Sequence, residues 1–500
     1  MNIKKYWKGI EMKNSKSSIF GGLFWSFGER IIAQLVTTIV TIVLARILDP
    51  THYGIISIVT VFITFCNIFV SGGFGSAVVQ KKDAIEEDFN VAFAISLSVS
   101  IILYIIIFIS APFIADFYHM SELTWVMRVM GIRLIFASLN TIQHAYIQKK
   151  MQFKKFFFAT LFGTVISAFI GIFLALHNFG VWALVAQYLS NTIIDSIVLL
   201  FVGGWKPKIQ FKKEVAKKLF SFGWKVLVTE FIYTLANDIR SLIVGKCFGS
   251  KDLAFFDQGK RYPALFVNNI NSAINKVMLP TYSSKQEKIN ELKFILRKSV
   301  RLGIFILSPI LIGFAVISEN VVLLMLTEKW LPCVPFIQIF CISFLTRPLE
   351  TSCHQALLAI GDSGIVLKII LSINVVSLLL IFIIIFTIKS VLLVAICSLI
   401  SAFVSFLLFM IMSCKKIGYM PREQIKDIIP SLLLGITMGG IVFLIGKIQL
   451  PTLIVLIIQI ISGIIIYVLL SKVFKVNAYI YLIEKVKGIF KKNNKVINEQ

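Results

Sequence analysis

Charge is scarce in this chain of 500 residues: Asp, Glu, Lys and Arg together make up 15% of it, against about a quarter in soluble domains. No polar stretch is long enough to form a separate aqueous domain, which leaves no room for a cytoplasmic ATPase or a glycosyltransferase. No Walker motif, paired-carboxylate constellation or Ser/His/Asp grouping stands out, so the chain does not read as an enzyme. The five histidines are scattered and nominate no metal site. The seven cysteines form no CxxC and no Cys/His pairing, so they read as small buried apolar side chains, without a disulfide framework, metal or cofactor. Acidic residues are also few, 25 against 50 Lys and Arg.

Hydrocarbon is what the chain has in excess. It is 57% hydrophobic, with a mean hydropathy of +0.88. Apolar runs such as VLKIILSINVVSLLLIFIIIF and PTLIVLIIQIISGIIIYVLLS recur along its length. Each is about 20 residues, enough to cross the ~30 Å bilayer core as a helix. Irregular backbone cannot face lipid, so these runs predict packed membrane helices. About fourteen spans are expected, near 22–45, 53–79, 90–113, 122–148, 156–177, 180–203, 219–247, 254–280, 296–317, 331–359, 364–387, 389–413, 426–446 and 451–471. The first run is too long for a cleavable signal peptide.

The net charge of +25 follows from this topology. Basic residues crowd alternate loops, with roughly 35 Lys/Arg on one side and about 6 on the other. The crowded side holds both termini, Lys149 to Lys155, the linker KPKIQFKKEVAKK, residues 285–301 and Lys415 to Lys426. The positive-inside rule makes that side cytoplasmic. Contact with anionic membrane lipids is expected there, and nucleic-acid binding is not.

A weak internal repeat divides the chain. SFGERIIAQLVTTIVTIVLARIL from Ser26 lies opposite SFGWKVLVTEFIYTLANDIRSLIVGKCFG from Ser221, with Arg30 opposite Lys225 and the offset growing from 195 to 200. Six spans precede a basic linker at 204–218, and each repeat starts on the same side, so the repeats are parallel. The expected architecture is all-α: an N-terminal lobe (1–203), the linker, a C-terminal lobe (219–414), and two further spans with a basic tail (415–500).

Polar groups at membrane depth are costly and face a cavity or another helix. In the second span Thr60, Thr64, Asn67, Ser71 and Gly75 share one helical face. In the eighth, Arg261, Asn268, Ser272 and Asn275 do the same, about 200 residues later. Arg30, Gln34, Thr37 and Thr41 line the first span, and Glu230, Tyr233, Asn237 and Ser241 the seventh, with Arg240 beside them. These faces predict a water-accessible central cavity between two six-helix lobes. Its fixed charge is mostly positive, from Arg30, Lys225, Arg240, Lys260 and Arg261 against Glu230 and Asp238. A positive cavity suits an anionic ligand, and the guanidinium fork suits phosphate. The competing reading is interhelical hydrogen bonding, with the lysines reaching the interface. Arg347, Glu350 and His354 sit at i, i+3, i+7 as a proton relay or an internal ion pair. Arg128 and Arg133 read as packing or interface residues, and Gly435 with Gly439 as a close helix contact.

The run GLFWSFGERIIAQLVTTIVTIVLARILDPTHYGIISIVTVF, then SGGFGSAVVQKKD, resembles the N-terminal signature of polysaccharide exporters of the Wzx type. NNINSAINKVMLP and LTEKWLPCVPFIQIFC are similar to second-half signatures, and the resemblance covers residues 18–420. It is closest to the colanic- and teichuronic-acid exporter branch, in a superfamily that also holds multidrug antiporters and the peptidoglycan-precursor flippase. The sequence departs from its relatives at Gly249, Ser250 and Ala254.

The resemblance implies two lobes around a cavity, alternating access and an undecaprenyl-diphosphate-linked glycan as cargo in the bacterial plasma membrane. It assigns the diphosphate to Arg30, Lys225 and Arg261. The substrate-binding set expected overall is Arg30, Lys225, Arg240, Lys260, Arg261, Asn67, Asn268 and Asn275, with Glu230 as the ion-coupling candidate. A polysaccharide polymerase and co-polymerase are further candidate partners. The alternatives are an ion-coupled drug antiporter, a membrane polymerase or ligase, and a non-transporting scaffold.

Overall fold

A computed structural model describes residues 33–484, apart from 82, 151, 153, 284, 286 and 287. Arg30 and the basic termini lie outside the described residues, as do the side chains of Lys225 and Asn275. Among the described residues the regular structure is helical throughout. The chain forms two compact units, Met1–Ala254 and Phe255–Gln500.

The first unit contains α1 (Ala33–Ile47), α2 (Pro50–Ser71), α3 (Phe74–Gln80), α4 (Glu86–Tyr118), α5 (Glu122–Gly131), α6 (Arg133–Lys149), α7 (Lys154–Leu176), α8 (Val181–Val202) and α9 (Lys213–Phe248). Helix α10 (Ser250–Ser283) starts in the first unit and continues in the second. The second unit follows with α11 (Ile289–Met325), a 3-10 turn (Glu328–Cys333), α12 (Val334–Phe344), α13 (Arg347–Ala359), α14 (Ser363–Thr387), α15 (Val391–Ile417), α16 (Pro421–Ile445) and α17 (Thr452–Val473).

Among the described residues ten helical segments are long and apolar enough to cross a membrane, or eleven if the bent pair Glu328–Phe344 and Arg347–Ala359 is one span. Apolar length alone therefore stops short of the fourteen expected. The helices α9 and α10, at 36 and 34 residues, are long enough. They miss on composition because ionisable residues interrupt them, and the described part of α1, Ala33–Ile47, is too short to count. The apolar windows of α14 and α17 are only 17% and 22% buried. Leu379, Phe382, Phe386, Ile457, Ile461 and Leu469 point outward, a surface that only hydrocarbon solvates. The chain is a multi-pass membrane protein.

Local chemistry sets the breaks. Helix α2 begins with Pro50 in its first turn, where the missing N–H is harmless, and ends on Gly72 in the left-handed region (φ 48°). Gly73 is left-handed too (φ 66°) and opens α3, so the second span is two helices joined at a glycine pair. Helix α9 crosses this break backbone to backbone, since a Cβ on Gly223 would lie 2.5 Å from the Gly72 carbonyl oxygen. Gly223 is the glycine of the repeated SFG motif, which gives that motif a packing role. Phe65 and Phe69 meet Phe231 at 5.8 and 5.5 Å, fixing the rest of the α2–α9 contact.

The basic linker is seated on the start of α4. Asn90 Oδ1 accepts from Trp205 Nε1 at 3.2 Å and from the Lys208 backbone N–H at 3.3 Å, while its Nδ2 donates to Gln210 Oε1 at 3.2 Å. Lys212 pairs with Glu87, and Trp205 is buried against Phe89, Phe93 and Tyr146. In the second unit the Gly435/Gly439 pair of α16 packs on α11 so closely that a Cβ on either glycine would lie 2.8 Å from the Ile312 side chain. All seven cysteines are free, and Cys333, Cys341, Cys353 and Cys397 are buried as small apolar side chains.

Candidate functional site

The first unit encloses a cavity of about 750 Å³ among α2, α3, α6, α8 and α9. Helix α2 contributes Thr64, Asn67 and Ser71, and the first turn of α3 places Gly75 and Ser76 against the same space. Three of the four polar side chains on the second-span face thus line it, as their spacing implied. Helix α9 contributes Leu227, Glu230 and Thr234. Asn67 and Glu230, both expected at the site, meet here.

The remaining wall comes from spans whose polar faces the sequence reading did not nominate. Helix α6 presents Arg133, Asn140, Thr141, His144 and Gln148, and α8 presents Asn191, Thr192 and Asp195. Asn140 Nδ2 donates to Asp195 Oδ2 at 3.0 Å. His144 Nε2 lies 3.6 Å from the same oxygen, an ion pair when the imidazole is protonated. Asp195 Oδ1 and Asn140 Oδ1 are buried with no hydrogen-bond partner. Arg133 Nε donates to Thr192 Oγ1 at 2.8 Å, and its guanidinium sits 5.9 Å from the Tyr188 ring. Asn191 Nδ2 reaches Ser167 Oγ at 3.4 Å, tying α8 to α7.

The signal that finds these residues is the one used for the second span. Asn140, His144 and Gln148 fall at i, i+4, i+8 on α6, and Asn191 with Asp195 at i, i+4 on α8. An aspartate inside a membrane span is a functional candidate by itself. Arg133 was expected to serve packing or the interface; it lines the cavity and also holds α6 to α8. The lining is mixed in charge: Arg133 and, when protonated, His144 face Asp195 and Glu230.

Other expected residues lie elsewhere. Arg240 is half-buried on α9, while Lys260, Arg261 and the exposed Asn268 belong to α10 in the second unit. Arg128 packs on Phe108 at 4.2 Å and donates to its carbonyl at 3.2 Å, a packing role as expected. Arg347 Nη1 lies 3.6 Å from Glu350 Oε2, and Glu350 accepts from Ser405 at 3.1 Å and from Thr346. His354 packs on Phe409 at 6.1 Å, so the trio reads as an ion pair beside an aromatic contact more than as a relay. Among the described residues no three His, Cys, Asp or Glu side chains come together as a metal site.

The first unit thus holds a polar chamber within a bundle of membrane helices. The same fold is found in the lipid II flippase MurJ in its inward closed conformation, with a TM-score of 0.72 at 14% identity, covering 90% of this chain and 98% of that one. A multidrug resistance MATE family transporter in an inward-facing conformation aligns with a TM-score of 0.58 at 15% identity, covering 78% and 96%.

Residues 43–335 match the model of the polysaccharide biosynthesis protein family, and the chain belongs to that family. It is 22% identical over 369 residues to the teichuronic acid biosynthesis protein TuaB of Bacillus subtilis (strain 168), covering 71% of this chain and 76% of the relative. It is 20% identical over 350 residues to the lipopolysaccharide biosynthesis protein WzxC of Escherichia coli (strain K12), covering 69% and 70%. The resemblance drawn from the sequence signatures holds at family level.

Proposed function

We propose that this protein is a flippase that carries an undecaprenyl-diphosphate-linked glycan from the inner to the outer leaflet of the bacterial plasma membrane by alternating access. The observation that carries this reading is the cavity of about 750 Å³, lined by amides, hydroxyls and both signs of charge inside an apolar bundle. Such a lining solvates sugar hydroxyls, which donate and accept hydrogen bonds, while the lipid tail stays in the bilayer. Family membership and relatives named for teichuronic acid and lipopolysaccharide biosynthesis support the cargo class.

The diphosphate is assigned to the basic residues Arg30, Lys225 and Arg261, with Arg240 and Lys260 nearby in sequence and Asn67, Asn268 and Asn275 as polar contacts. Both termini are placed in the cytoplasm, on the lysine-rich side. With the cell interior negative, outward movement of an anion is favoured by ~2.3 kcal/mol per charge per 100 mV. Cargo must bind the two cavity states unequally for that bias to drive the conformational step. The protein carries out no covalent chemistry in this scheme. A polymerase and co-polymerase receive the cargo on the outer face.

The test is surface polysaccharide in a deletion strain complemented with wild type or with Arg30→Ala, Lys225→Ala, Arg261→Ala or Arg133→Ala, with membrane expression measured alongside. Loss of surface polymer with lipid-linked intermediate building up inside, in the deletion and in the expressed variants, supports the reading. Unchanged polymer and precursor in the deletion, with no parallel exporter, overturns it in favour of small-molecule efflux.

A further inference from the structure

The second unit holds another cavity, of about 620 Å³, bounded by the first half of α11, the starts of α16, the end of α17 and the short helix 477–484. One wall is hydrocarbon: Leu433, Leu434, Leu470 and Phe474. Leu433 and Phe474 are also exposed on the outward surface, so this wall opens sideways to the bilayer. The other end carries Arg301, Lys426 and Lys475. Asp427 lines it too, but its carboxylate already accepts from Arg297 Nε at 2.8 Å, Arg301 Nε at 2.7 Å and the Tyr419 hydroxyl at 2.8 Å. Arg297 is also held by Glu423 at 2.9 Å, so the two arginines and two carboxylates balance, and Lys426 and Lys475 make that end positive. Lys298 Nζ sits 3.5 Å from the Tyr481 ring, which fastens the short helix on α11 and keeps Lys475 and Asn477 at the mouth. Helices α16 and α17 lie beyond residues 43–335, so the family match does not account for this cavity.

Cations at one end and an apolar wall open to lipid match an amphipathic anion with a hydrocarbon tail. A zwitterionic lipid satisfies the wall, but its own ammonium group opposes the lysines. The basic helix ends mark the cytoplasmic leaflet, where anionic lipids attract such residues. We propose that this cavity binds an anionic glycerophospholipid of that leaflet, its phosphate on Arg301, Lys426 and Lys475 and one acyl chain along Leu433, Leu434 and Leu470.

The test is native mass spectrometry of the full-length protein, delipidated in detergent and titrated with phosphatidylglycerol or phosphatidylcholine of matched chains. Phosphatidylglycerol is expected to bind preferentially. The Lys426→Gln/Lys475→Gln variant should lose about fivefold in affinity for each lysine removed. Thr437→Phe, which fills the groove from its lipid side, should lose binding of both lipids, and Lys447→Gln at the far end of α16 should change nothing. Equal binding of the two lipids, or a preference that survives both the lysine and the groove-filling variants, overturns the proposal. So does displacement of bound phosphatidylglycerol by an equimolar polyprenyl phosphate, which assigns the cavity to the glycan carrier instead. Thermal stability of each variant without lipid separates lost binding from lost fold.

Discussion

Gly223 of α9 packs directly on the carbonyl of Gly72, where a Cβ would sit 2.5 Å from the oxygen, and a Cβ on Gly73 would lie 2.8 Å from the Gly223 oxygen. Backbone cannot yield as the end of a flexible side chain does. Gly223→Ala is therefore expected to destabilise the protein by about 1–3 kcal/mol, as overpacked cores do. Thermal unfolding in detergent measures this; a melting point equal to wild type would show that α9 stands off the break.

Asp195 is tied to Asn140 and flanked by His144 while its second oxygen stays unpartnered. Asp195→Asn keeps the shape and removes the charge. A hydrogen bond to a charged group is worth ~1.5–3 kcal/mol, so transport should fall about tenfold or more with the fold intact. Flipping of a lipid-linked glycan in proteoliposomes, beside a melting curve, reads both. Full activity would remove Asp195 from the transport cycle.

Asn90 holds three groups of the linker at once. Asn90→Ala should cost about 1–2 kcal/mol of linker attachment. Trypsin cleavage after Lys208 then speeds up by about tenfold, and Trp205 fluorescence moves toward that of solvated indole. An unchanged cleavage rate would mean that Trp205 packing alone seats the linker.

Asp427 is buried under Arg297, Arg301 and Tyr419, with Glu423 completing the cluster on Arg297 at 2.9 Å. Asp427→Ala takes the carboxylate from Arg301 and leaves Arg297 on Glu423 alone, and should destabilise the second unit by about 3 kcal/mol. Asp427→Leu with Arg297→Met and Arg301→Leu should recover most of the loss, because an apolar replacement leaves no uncompensated charge. Melting curves of the single and triple variants decide it, and an equally damaged triple variant would point to a role beyond charge balance.

The fold was legible wherever an apolar run was uninterrupted, because hydrocarbon length alone predicts a span. The polar face of the second span was legible too, since Thr64, Asn67 and Ser71 follow the helical period and do meet at the cavity. Glu230 stood out as a carboxylate at membrane depth. What stayed hidden depends on neighbours. The period of α6 gives the angle of Asn140 and His144 around their own helix, not that α8 brings Asp195 to them across 55 residues of sequence. The glycine pair that splits the second span reads as two small residues, and only the folded backbone shows their left-handed turn and the approach of Gly223. The bond between Asn90 and Trp205 joins residues 115 positions apart, beyond any local pattern.

Helix α9 runs unbroken for 36 residues, about 54 Å, from the lysine-rich linker at Lys213 to Phe248. Glu230 and Thr234, which wall the cavity, sit on the same shaft whose outer end Asn90 moors through the linker. The linker and the cavity wall thus share one shaft, and the bonds at Asn90 anchor the helix that carries Glu230.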